Sequence, residues 1–150
     1  MTDRLDQSND TRQPLSELRA SLHFLSAPPE DSTVECVFRY GADDPLAVRL
    51  ELHVPADTPV TWVVGRDVLS AGVEGLSGDG DFKAWPSRAQ SATPLLYLRL
   101  ERPQGKAATF AADLTEVHRW LEHTYELVPA GDEHAMLDWD TLARIPLPPA

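Results

Sequence analysis

The sequence predicts a mainly β domain with a smaller α component, its strands antiparallel and its one substantial helix near the C-terminus. Three observations carry this. Apolar and polar residues alternate along several short runs, clearest at Val34, Cys36, Phe38 and Tyr40 and again at Val48, Leu50, Leu52 and Val54, the period of a strand with one dry face. Clusters of Gly, Asp and Pro separate the runs, and no stretch long enough for a crossover helix lies between them. Only after Asp113 does the period change to 3.6 for long, with Leu114, Val117, Leu121 and Tyr125 on one stripe.

Taken in order, residues 1–14 are polar and have little to bury, which reads as a disordered N-terminal arm. A single domain is expected over residues 15–145, and a frayed, proline-rich tail over 146–150. Leu18, Ala20, Leu22 and Phe24 begin the first strand, and Gly41-Ala42-Asp43-Asp44-Pro45 reverses the chain between the second and third. Val60, Trp62 and Val64 share one face of a fourth, which turns over at Gly65 into about one and a half helical turns stopped at Gly72. The glycines from Gly72 to Gly80 read as a loop. Phe82 to Trp85, Leu96 to Leu100 and Ala108 to Ala112 bring the count to about seven strands. The helix starts at Asp113 with Glu116 three residues on, a capping box, and runs to about Tyr125. Asp140 to Arg144 reads as a brief second helix.

Composition narrows the function classes. A net charge of -11 and a pI near 4.7 oppose binding to phosphate backbones and anionic membranes, and suit a basic or neutral protein partner. A lone cysteine, no apolar leader and no run that could span a bilayer read as cytoplasmic. His118 and His123 stand about 140° apart on the helix and cannot share a metal, and His118 reads as partly buried on the apolar stripe. Asp79-Gly80-Asp81 lacks the closing glutamate of a calcium loop. The glycine segment matches neither a P-loop nor a dinucleotide fingerprint, and no nucleophile elbow or catalytic set emerges. No cofactor is called for.

The four tryptophans are more informative. Trp62, with Leu50, Phe110 and Leu121, is a candidate core residue. Trp85 is out of phase with Phe82 and Ala84, and Trp120 lies about 120° from the centre of the helical stripe. Those two, with Arg66 and Asp67, form the candidate interface of a subunit or partner contact.

Several segments resemble the SsgA-like proteins, the sporulation and cell-division regulators of mycelial actinomycetes. Tyr40, Asp44-Pro45 and Ala47-Val48 look like the family's Tyr-x-x-x-Asp-Pro-x-Ala-Val turn, and Trp62-Val63-Val64, Arg66-Asp67-Val68-Leu69 and Gly72 look like its most specific segment. Gly78-Asp79-Gly80-Asp81, Trp85-Pro86, Trp120-Leu121, Thr124, Val128-Pro129, Gly131 and Glu133 follow in the family's order, and Leu137-Asp138-Trp139-Asp140 resembles its tail. Glu122-His123 departs from a pair that is commonly basic, and Trp139 stands for an aliphatic residue. The resemblance implies a Whirly-like fold, two antiparallel sheets crossing at a steep angle with a C-terminal helix, assembled as a homotrimer. It also implies a non-enzymatic role in sporulation-specific septation at division septa, through FtsZ or an adaptor. The rival reading is a single-stranded nucleic-acid-binding module, in which Tyr97 or Trp85 would stack bases and Arg88, Arg99 and Arg102 would form a basic stripe; the net charge opposes it.

Overall fold

The computed structural model describes residues 15–54, 58–87, 93–103 and 105–133. The expected arm, the second helix at Asp140 to Arg144, Trp139 and the frayed tail lie outside the described residues. Among the described residues, eight strands form one antiparallel sheet: β1 (Leu15–Phe24), β2 (Thr33–Gly41), β3 (Ala47–His53), β4 (Val60–Gly65), β5 (Ser77–Asp79), β6 (Phe82–Pro86), β7 (Leu95–Glu101) and β8 (Ala107–Asp113). Helix α1 (Arg66–Gly72) follows β4 and helix α2 (Leu114–Leu127) follows β8. The spatial order is β4-β3-β2-β1-β8-β7-β6-β5. Each half of the sheet is thus four strands in sequence order, followed by a helix.

Period-two alternation sets the register. Leu18, Phe38, Leu50 and Trp62 lie in one row across the first half, and Ala84, Leu98 and Phe110 in one row across the second. Both rows belong to a single apolar core, so the sheet curls until the inner faces of its halves meet. A one-residue slip would turn a whole row outward. The halves are joined at His23 with Ala111 and Phe24 with Phe110, and the Phe24 and Phe110 rings stack at 4.8 Å. Two separate sheets were expected; this pairing makes them one.

The eighth strand is β5, hidden by its glycines. Gly78 has φ +99°, and a Cβ there would run into the Phe82 carbonyl oxygen, so the close β5–β6 hairpin requires glycine. Gly72 lies against Ala84, which lets α1 pack onto β6.

Helix α2 begins as its sequence predicts, with the Asp113 carboxylate accepting from the Glu116 amide at 3.1 Å. Its buried face is turned, however. Val117, Trp120, Leu121 and Thr124 are the buried residues of the helix, with Val128 just beyond. With Trp120 and Thr124 buried in place of Leu114 and Tyr125, the centre of the stripe lies about 50° closer to Trp120, and His118 is left exposed instead of partly buried. Trp120 therefore lies in the core of its own chain. Its ring meets Phe38 edge-on at 5.8 Å and its Nε1 donates to Ser16 Oγ at 2.9 Å, which satisfies the indole N–H on burial.

Candidate functional site

Arg66, expected at an interface, is 1% exposed. It sits at the first position of α1, where the chain turns inward from β4, and reaches across to the end of α2. Its Nη1 donates to the Thr124 carbonyl at 3.0 Å and its Nη2 to Glu133 Oε2 at 2.9 Å. The guanidinium carbon lies 3.9 Å from the centre of the Tyr125 ring and 4.7 Å from that of Tyr40, where the ring faces attract a desolvated cation. Arg66 Nε is buried without a hydrogen-bond partner among the described residues. Tyr40 in turn donates to the Pro45 carbonyl at 3.0 Å and closes the β2–β3 turn; burial pushes its hydroxyl up to about 12. Glu133 Oε1 accepts from the Gly131 amide at 2.8 Å. Backbone amides, its own foremost, together with Arg66 hold the Glu133 carboxyl below the usual range. This cluster ties α1, the β2–β3 turn and the end of α2 together. Apart from Arg66 Nε, its polar contacts among the described residues are internal.

Cys36 is buried in β2, where burial foremost pushes its thiol up to about 12, so it is not a nucleophile at neutral pH. Among the described residues, no three His, Cys, Asp or Glu side chains are grouped to hold a metal ion.

An open surface among the described residues lies on the outer face of β6 and β7. Trp85 pairs in register with Tyr97, and the two rings stack with centroids 5.7 Å apart. One step along the same face Lys83 stands opposite Arg99. Together with Leu76, which is 73% exposed, and Pro86, the residues Trp85, Lys83 and Arg99 line a depression of about 440 Å³. Among the candidate interface residues the structure thus puts Trp85 at an open face, leaves Asp67 exposed in the first turn of α1, and takes Trp120 and Arg66 inside. Leu50, Phe110 and Leu121 are buried, and Trp62 is partly buried against them. Lys83 was missed although its parity with Trp85 marks it as facing the same way. Arg99 and Arg102 do not form one stripe: Arg102 lines a separate cleft of about 200 Å³ with Lys106, Phe24, Trp62 and Phe110, where the sheet halves part. Arg88 lies outside the described residues.

Residues 34–133 match the family model described as "Streptomyces sporulation and cell division protein, SsgA". The chain belongs to the SsgA family. Among relatives, the sporulation-specific cell division protein SsgB of Thermobifida fusca is 38% identical over 114 residues, covering 75% of this chain and 81% of that protein. SsgB of Streptomyces coelicolor is 35% identical over 121 residues, covering 79% and 87%. Among solved structures, one described by the correlation of SsgB mutations with longitudinal cell division during sporulation of Streptomyces coelicolor superimposes with a TM-score of 0.75 at 29% identity, covering 83% of this chain and 96% of that one. An SsgA-like sporulation-specific cell division protein from Thermobifida fusca gives 0.72 at 32%, covering 87% and 94%. Set on this fold, most of the family-like residues are structural: Tyr40, Arg66, Thr124 and Glu133 meet in the buried cluster, and Gly72 and Gly78 permit close backbone approach. The Trp85-Pro86 pair is a family-like element that lines an outward depression, and the family-like Val63 and Asp67 are also exposed.

Proposed function

We propose that this SsgA-family protein is a non-enzymatic regulator of sporulation-specific septation that acts by binding the division machinery, FtsZ or an adaptor, at division septa. The observation that carries the reading is the match of residues 34–133 to a sporulation and cell division family, with relatives named for that role. The structure supports it in a second way: the Arg66 cluster is turned to internal contacts, and the outer face of β6–β7 offers an open aromatic surface suited to protein recognition. Among the described residues no helix is long and apolar enough to cross a membrane, so the protein would reach a septum by binding something already there. The two four-strand halves, each closed by a helix, support the Whirly-like relation; the homotrimer rests on the resemblance alone. Trp85 and Asp67 are its candidate contact residues; Trp120 and Arg66 no longer qualify.

A fluorescent fusion expressed in a sporulating actinomycete should form ladders coincident with septa and with labelled FtsZ. Diffuse fluorescence through sporulation rejects the reading. Size exclusion coupled to light scattering should return three times the chain mass, and a monomer mass at tens of micromolar rejects the trimer. The net charge of -11 opposes the nucleic-acid alternative, because strand binding needs a continuous basic track before stacking contributes.

A further inference from the structure

On the outer face of β6–β7, we infer a docking site for a short acidic segment of a partner protein, one or two carboxylates beside an aromatic or prolyl side chain. The inference deepens the proposed function and rests on it for the partner being a division protein. Four observations converge on it. Lys83 and Arg99 face each other across the β6–β7 ladder, and like charges directly opposite destabilise a sheet. Yet this pair stands on a chain with 24 acidic and 13 basic residues, where a carboxylate at either position would have removed the conflict. Their neutralisation is weak: Arg99 has a distant contact to Glu101 at 4.0 Å, and Lys83 has no ion pair among the described residues. Next to them Trp85, backed by its stack on Tyr97, with Pro86 and the exposed Leu76 forms an apolar wall to the same depression.

Carboxylates from outside would offset the Lys83–Arg99 repulsion, and an adjacent ring or proline would cover Trp85, the amphipathic kind of residue that anchors interfaces. The length of the ligand is limited by the rest of the molecule. Screening confines the local positive potential to within about 8 Å at physiological salt, so a short acidic segment sees the cation pair, whereas a long polyanion runs onto a surface of net charge -11. A second copy of this chain and a nucleic acid are the competing occupants.

The probe is a short fluorescein-labelled peptide with two glutamates flanking a Phe-Pro pair, read by anisotropy against the full chain. Saturable binding is expected, weakening with salt. It should fall at least about tenfold with Gln in place of the peptide's Glu, with the K83E/R99E protein, or with Trp85→Ala. Arg19→Glu, on the other half of the sheet, should change nothing. Melting temperature and light-scattering mass of K83E/R99E should stay at wild-type values. The proposal is overturned by no binding, by equal binding to K83E/R99E, by oligothymidylate competing with the peptide, or by a lower mass for K83E/R99E, which would make this face a contact between copies. Localisation separates the two levels: diffuse wild-type protein rejects septal action whatever the peptide does, while septal K83E/R99E protein rejects this surface and leaves septal action standing.

Discussion

The outer faces of the two sheet halves solve the same problem in opposite ways. On β1–β3, Arg39 also stands directly opposite another cation, Arg49. But Arg39 lies between Glu17 at 2.7 Å and Glu51 at 2.8 Å, Glu51 also meets His53 at 3.1 Å, and Arg49 meets Asp44 at 3.4 Å, so that pair is neutralised within the chain. Those contacts, Arg39 first, hold the Glu51 carboxyl below its usual range, and the two glutamates push the Arg39 guanidinium up. On β6–β7 the neighbours are two cations and two aromatic rings. On the first face the opposed cations are met by carboxylates of the same chain; the second is left with repulsion and apolar area that an added partner would relieve. The contrast teaches that exposure alone does not mark a site, whereas unbalanced exposure does.

The comparison presupposes that the inner faces are already sealed, and the largest predicted effects test that. Trp120→Ala should cost about 3–5 kcal/mol in urea unfolding by opening a cavity against Phe38 and orphaning Ser16. If Trp120 were an oligomer anchor instead, the mass would fall with little change in stability. Arg66→Ala should cost about 3 kcal/mol, since it strands the Thr124 carbonyl and Glu133 at the end of α2, and hydrogen exchange should speed up first near Thr124. Acidification gives a smaller loss. Glu133 has a lowered folded value, so its contribution is present above about pH 4.5 and disappears as the pH falls through that lowered value. Glu133→Gln should flatten the fall of the urea midpoint between neutral pH and about pH 3.

The last two predictions set the faces against each other directly. Arg39→Ala should cost at most about 1 kcal/mol, being a part-exposed pair network. Lys83→Glu should instead stabilise by a few tenths of a kcal/mol, by turning a like-charged pair into an opposite one across from Arg99. Destabilisation by Lys83→Glu in thermal melts would show that the second face is as balanced as the first.

Strands were legible wherever burial is one-sided, because alternation then records which side is dry: β2, β3 and β7 needed no tertiary information. The β5 strand was not, since Ser77-Gly78-Asp79 has no apolar side to show and is held by backbone pairing with Phe82, Lys83 and Ala84. The open site was half legible. Trp85 broke phase with its strand, but its partners Tyr97 and Arg99 lie on β7, and cross-strand register is invisible to a local pattern.

By itself the sequence determined the antiparallel strands, the β2–β3 turn, the capped start of α2 and the family, because each depends on neighbours in the chain or on motif order. Tertiary structure alone decided the rest. Arg66 looks like a surface cation until Tyr40, Tyr125 and Glu133 close around it, and Trp120 looks outward until a buried Thr124 turns the helix face toward Phe38. In both cases the deciding partners lie tens of residues away. A polar residue's burial depends on whether those partners satisfy it, and hydropathy at one position cannot carry that information.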